Sequence, residues 1–157
     1  MGLITATFFE CGVRYERTTE EGTTKKVNEL YIVDALTFTE AESRITEEMQ
    51  PFVSGDFDVM TLKRTRYSEY DNSEGDKYYK AKIMFITLDE KTQKEKRSSV
   101  NYLINAGTLP GAVKNIEEVM SQSMVDYDTV SVSETTLMDV FEYKKKERDD
   151  KPEYEQQ

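Results

Sequence analysis

The chain of 157 residues contains no histidine, no tryptophan and a single cysteine. The missing histidine removes the commonest general base, the commonest zinc ligand and every His-based triad. Cys11 alone can form neither an internal disulfide nor a Cys-rich metal cage, and one unpaired thiol fits a cytoplasmic protein most simply. No stretch approaches the roughly 18 consecutive apolar residues of a membrane span, so no membrane partner is expected. The N-terminus has no basic region followed by an apolar run, so a signal peptide is not expected either. No spacing matches an EF-hand loop, and there is no glycine-rich phosphate loop. Asp34, Asn105, Asp56, Asp58 and Asp89 are the nearest thing to catalytic carboxyl and amide groups. They form no recognisable motif, so neither an enzyme, a metal nor a cofactor is expected.

What the chain does have is charge. Asp, Glu, Lys and Arg make up 33% of it, with a net charge of −10. An apolar fraction of 37%, with ten Tyr and seven Phe, is enough for a globular core. Bulk acidity opposes nucleic acid and anionic membrane, although a local basic patch can still bind either. The segment Lys144–Gln157 carries five positive and five negative residues and reads as a charged tail, so residues 1–143 hold the whole excess.

Those 143 residues read as one domain made of two copies of one unit, about 3–70 and 77–143. At an offset of 70, Phe9, Val13 and Tyr15 fall on Tyr79, Ile83 and Phe85. At 71, Val33, Asp34 and Ala35 fall on Ile104, Asn105 and Ala106, Ala41, Ile45 and Met49 on Ala112, Ile116 and Met120, and Val59 on Val130. The change of offset is expected between Lys26 and Tyr31. Each copy reads β-β-α-β. Residues 3–17 alternate an apolar face (Phe9, Cys11, Val13, Tyr15) with a charged one, and a second strand centres on Leu30–Val33. Thr39 is the expected N-cap of the first helix, with Glu42 completing a capping box, and Pro51 and Gly55 end it. Phe57–Tyr67 reads as the third strand. In the second copy the strands are expected at Lys77–Asp89, Ser98–Asn105 and 127–143. Thr108 caps its helix, with Pro110 in the first turn.

The expected fold is therefore α+β: a mostly antiparallel six-stranded sheet with both helices on one face. The alternative is a homodimer that completes a barrel or sandwich. The second apolar face of the strand at Lys80–Leu88 (Met84, Ile86, Leu88) favours some such cover.

The runs FECGVRYERT, YIVDALTFTEAESRITEEM, FITLDEK and MDVFEY resemble a family of small acidic proteins of unknown function from gut anaerobes and their phages. The resemblance spans nearly the whole folded region. It implies a cytoplasmic or phage-encoded accessory protein and carries no site residues.

Two surfaces are candidates for binding. The stretch Lys63–Lys82 has a local net charge of +2. Its basic residues Lys63, Arg64, Arg66, Lys77, Lys80 and Lys82 interleave with Tyr67, Tyr70, Tyr78 and Tyr79. Rings that stack on bases and cations that pair with phosphates are what single-stranded DNA or RNA requires. The plainer account is strand propensity of tyrosine and solubilising charge on an outer face. The second surface is acidic: Glu40, Glu42, Glu47 and Glu48 on the first helix, Glu117 and Glu118 on the second. It would suit a basic protein surface, or imitate the phosphates of DNA as an inhibitor does. A solvated helix face is the plainer account here.

Overall fold

The structure, a computed structural model, describes residues 7–142. The tail expected over 144–157 lies outside the described residues. The element order is β1 (Thr7–Thr18), β2 (Thr24–Ala35), α1 (Phe38–Met49), β3 (Phe57–Arg64), β4 (Tyr67–Asp71), β5 (Lys77–Leu88), β6 (Glu95–Ala106), α2 (Leu109–Met120), β7 (Asp126–Glu134) and β8 (Leu137–Phe141). Each copy is thus β-β-α-β-β, one strand longer than expected.

The fold is α+β, but the expected single six-stranded sheet is replaced by two four-stranded mixed sheets. Their orders are β3-β1-β2-β8 and β4-β6-β5-β7. The hairpins and the β1–β3 and β5–β7 pairs are antiparallel, whereas β8 runs parallel to β2 and β4 parallel to β6. The last strand of each copy therefore lies in the other copy's sheet. The chain divides accordingly into two compact units, residues 7–65 with 137–142, and residues 66–136.

The cause of the exchange is local. Each run expected to be one long strand breaks after its third-strand segment. Thr65 and Thr135 turn both backbone N–H and hydroxyl onto one carbonyl, Phe8 O or Tyr78 O, all at 2.8 Å. That ends the pairing of β3 with β1 and of β7 with β5, and two residues later the chain enters β4 or β8.

In the first unit, α1 seals Phe9, Cys11, Val13, Tyr31, Val33 and Ala35 beneath Ala41, Ile45 and Met49. In the second, α2 seals Tyr79, Ala81, Ile83, Tyr102 and Ile104 beneath Ala112, Ile116 and Met120. Both cores use positions i, i+4 and i+8 of the helix, the stripe that lies on one side of a 3.6-residue turn. Thr108 caps α2 as expected, its hydroxyl accepting from Gly111 N at 3.1 Å. The cap of α1 is Thr37 rather than Thr39: Thr37 Oγ1 accepts from Glu40 N at 3.1 Å, and Glu40 reaches back to Leu36 N at 3.0 Å. Two threonines two residues apart offered the same signal, and the one followed three positions later by Glu40 won.

The offset changes one element earlier than expected. The first hairpin loop spans 19–23 and the second 89–94, so the extra residue is in the turn. The offset returns to 70 after the helices, and Val130 matches Met60 rather than Val59. Both are the unpaired residue of a β-bulge, which leaves them 50% and 51% exposed. Gly12 lies at the first bulge, where a Cβ would stand 2.3 Å from Thr61 Oγ1, so a side chain there would require the Thr61 hydroxyl to turn away. Of the second apolar face of β5, Met84 and Ile86 are half-buried and Leu88 is 58% exposed. Among the described residues no helix is long and apolar enough to cross a membrane.

Candidate binding sites

The basic stretch falls in two units. Lys63 and Arg64 are on β3 of the first, and Arg66 to Lys82 belong to the second. Lys63 pairs with Glu10 at 3.4 Å and Lys77 with Glu134 at 3.1 Å. Arg64 lies over the rings of Phe9 and Phe38, 5.8 and 5.3 Å from their centroids. Arg66, Lys80 and Lys82 are exposed and make no ion pair among the described residues. Tyr67 is half-buried. Tyr70, Tyr78 and Tyr79 are buried, and Tyr79 is part of the α2 core, so three of the four rings have no face to offer a base.

Of the acidic residues, Glu42, Glu47, Glu117 and Glu118 are exposed, whereas Glu40 caps its helix and Glu48 is half-buried. Glu42, Glu117 and Glu118 make no ion pair among the described residues. Asp34 and Asn105 are buried at the junction of strand and helix. Asp34 accepts from the Arg44 guanidinium, which also donates to the Asp34 carbonyl and, at 3.2 Å, to Phe141 O. The second unit does the same work without charge. Asn115 occupies the place of Arg44 and donates to Asn105 O at 3.0 Å. The Asn105 side chain bonds Gly75 N, Gly75 O and Lys77 O at 2.6, 2.9 and 2.9 Å. These residues join secondary-structure elements rather than face a substrate.

Sequence reasoning missed one further site, a cleft of about 520 Å³ in the second unit between edge strand β4 and helix α2. Register pairs Glu69 with Tyr102 and Asp71 with Ile104, which sets both carboxylates on the helix side of the sheet. Glu118 and Asn115 of α2 face them across the cleft, and Phe85 and Met120 supply apolar lining. Burial raises the Glu69 carboxyl above its ordinary range. Burial, and then the neighbouring Glu69 charge, raise the Tyr102 phenol.

In the first unit the equivalent space is filled. Phe141 stands where the second unit has Asp71, and its ring stacks on Tyr31 with centroids 5.5 Å apart and planes at 15°. The Tyr31 hydroxyl donates to Glu29 at 3.3 Å. In the second unit Val100 replaces Glu29, and Tyr102 makes no hydrogen bond among the described residues although it is only 7% exposed. Comparing the two copies for differences rather than likenesses would have found this site.

Cys11 is buried, and burial first and the Glu10 charge second push its thiol up to about 12, which makes it inert rather than nucleophilic. Among the described residues no group of three or more Cys, Asp or Glu is placed to hold a metal ion.

The family model described as a domain of unknown function, DUF4494, matches residues 7–143, and the chain belongs to that family. No curated protein matches the chain.

Proposed function

We propose that this member of the DUF4494 family is a non-enzymatic, cytoplasmic binding protein that engages a basic protein surface through the acidic outer sides of its helices. The observation that carries this reading is the exposure of Glu42, Glu117 and Glu118, none in an ion pair among the described residues, on a chain of net charge −10. Exposed carboxylates of this kind, on α1 in one unit and on α2 in the other, each raise the local concentration of a cationic partner. An accessory or inhibitor role in gut anaerobes or their phages, with phosphate mimicry as its device, accords with this charge.

A second reading, single-stranded DNA or RNA, draws support from Arg66, Lys80 and Lys82, which are exposed and make no ion pair among the described residues. It has lost the stacking platform, since Tyr70, Tyr78 and Tyr79 are buried. A homodimer would use the exposed apolar bulges Met60 and Val130 on the edge strands β3 and β7.

Two variants separate the readings. Glu42→Lys/Glu117→Lys/Glu118→Lys should abolish salt-sensitive capture of a protein partner, and unchanged capture refutes the acidic surface. Fluorescence anisotropy with labelled single-stranded DNA, RNA and duplex should show no binding near physiological salt. Binding that Arg66→Glu/Lys80→Glu/Lys82→Glu abolishes would establish the nucleic-acid reading in its place.

A further inference from the structure

We infer that the cleft between β4 and α2 is a binding site for a small organic cation, an ammonium or guanidinium group carried on an apolar or aromatic stem. The inference shares only Glu118 with the helix-face reading, in which Glu69, Asp71 and Tyr102 have no part, and the Asp71 variants below separate the two.

Three observations converge on it. The first is the pair of replacements between copies. The first unit fills this space with its own aromatic ring, Phe141, stacked on Tyr31. The second unit has Asp71 at that position, so the ring is missing and a carboxylate is added, while the Asp34–Arg44 pair is replaced by the uncharged Asn105–Asn115 contact. The ligand chemistry follows from both changes, a planar apolar group where the ring was removed and a cation to meet the added carboxylate.

The second is Tyr102, which lines the cleft and is more than nine-tenths buried, yet its hydroxyl makes no hydrogen bond among the described residues. Its ring is packed into the core while its hydroxyl stays open to the cleft, since no buried side-chain oxygen among the described residues lacks a partner, and a phenol can accept from an N–H as well as donate. The third is charge. Glu69, Asp71 and Glu118 line one cleft and make no ion pair among the described residues. Ser73 Oγ donates to Asp71 Oδ2 at 2.9 Å and leaves its other oxygen available. A volume of about 520 Å³ falls within the range of small-molecule sites, roughly 300–1,000 Å³. Phe85, Val119 and Met120 would receive the stem, and Glu69, Asp71 and Glu118 the head. The raised Glu69 carboxyl would be drawn back toward its ordinary range by the bound cation.

The test is calorimetric titration of the full chain with benzylguanidine and benzylammonium, beside neutral benzyl alcohol of similar shape. The cations should bind saturably and the alcohol at least about tenfold more weakly, because the charge-assisted bonds are lost. Binding should weaken as pH falls through the Glu69 titration. Asp71→Phe, which copies the first unit, and the near-isosteric Asp71→Asn should each weaken cation binding at least about tenfold, while Glu42→Gln leaves it unchanged. Circular dichroism checks that the variants remain folded. Equal affinity for benzyl alcohol overturns the inference, as does undiminished binding to folded Asp71→Asn. Binding only when the cation is a lysine or arginine side chain of a peptide overturns the small-molecule source.

Discussion

Replacing Arg44 with asparagine imports half of the second unit's solution into the first. Asp34 and Arg44 are 5% and 8% exposed, so the carboxylate would be left in the interior without its cation. Removing one partner of a buried pair costs about 3–5 kcal/mol, because the remaining charge stays desolvated. Asp34→Asn is the milder single change. The guanidinium still donates to the residue 34 carbonyl and to Phe141 O, and the expected cost is about 1–3 kcal/mol. The double variant Asp34→Asn/Arg44→Asn recreates the Asn105–Asn115 arrangement, which holds the second unit together without charge. It should lie within about 2 kcal/mol of the parent, giving a coupling of at least about 2 kcal/mol. Thermal unfolding followed by circular dichroism reads this directly. For a chain of this size, about 2–4 °C per kcal/mol puts Arg44→Asn some 6–20 °C below the parent, with the double variant recovering most of the loss. If the double variant loses as much as the two single variants summed, the two residues are not coupled and the pair does not hold strand to helix.

Gly75→Ala should destabilise the second unit by at least about 2 kcal/mol in urea unfolding, because a Cβ would stand 2.2 Å from the Ala106 carbonyl carbon. A parent-like midpoint would show that the β4–β5 connection can move away. Ile45→Ala and Ile116→Ala, both fully buried at equivalent helix positions, should each cost about 2–5 kcal/mol, and a loss under about 1 kcal/mol at either would deny it a place in the core. Cys11 should resist alkylation of the native protein at pH 8 and label only on unfolding, its thiol being pushed up to about 12, and fast native labelling would contradict its burial. Alkali should destabilise the fold. Burial raises Cys11 from 9.0 and Tyr15, Tyr31 and Tyr102 from 10.0, so the folded chain retains protons that the unfolded chain gives up. The stability this contributes is complete below about pH 9 and is lost as pH rises, and a melting temperature unchanged up to pH 11 would refute it.

The hairpins and the two helices were legible in the sequence because each has a periodic or capping signal: the alternation of Phe9, Cys11, Val13 and Tyr15, the stripe of Ala112, Ile116 and Met120, the Thr108 cap. The exchanged strands were not. YSEYD and LMDVF are five residues long, too short for period 2 to emerge from polar and half-buried residues, and nothing within them specifies a parallel partner. These two strands are also what divides the structure into two four-stranded sheets in place of one of six. Tyr70 and Tyr78 reasoned as surface aromatics turned out to be interior, because strand propensity does not say which face a tyrosine takes. The cleft left a trace only as a departure from symmetry, Asp71 against Phe141 and Asn115 against Arg44.

The exchange of β4 and β8 makes the two copies interdependent in a way that likeness of element order alone would not. Severing the chain near residue 72 would leave each fragment carrying the edge strand of its sibling and lacking its own. A lone copy could complete its sheet only by folding its last strand back or by trading it with a second molecule. One polypeptide thus performs internally the reciprocal loan that a strand-swapped dimer performs between two. Neither sheet can lose its lender without unravelling at the edge, and the two copies are free to diverge in sequence, one toward a packed interior and the other toward an open cleft, without ceasing to need each other.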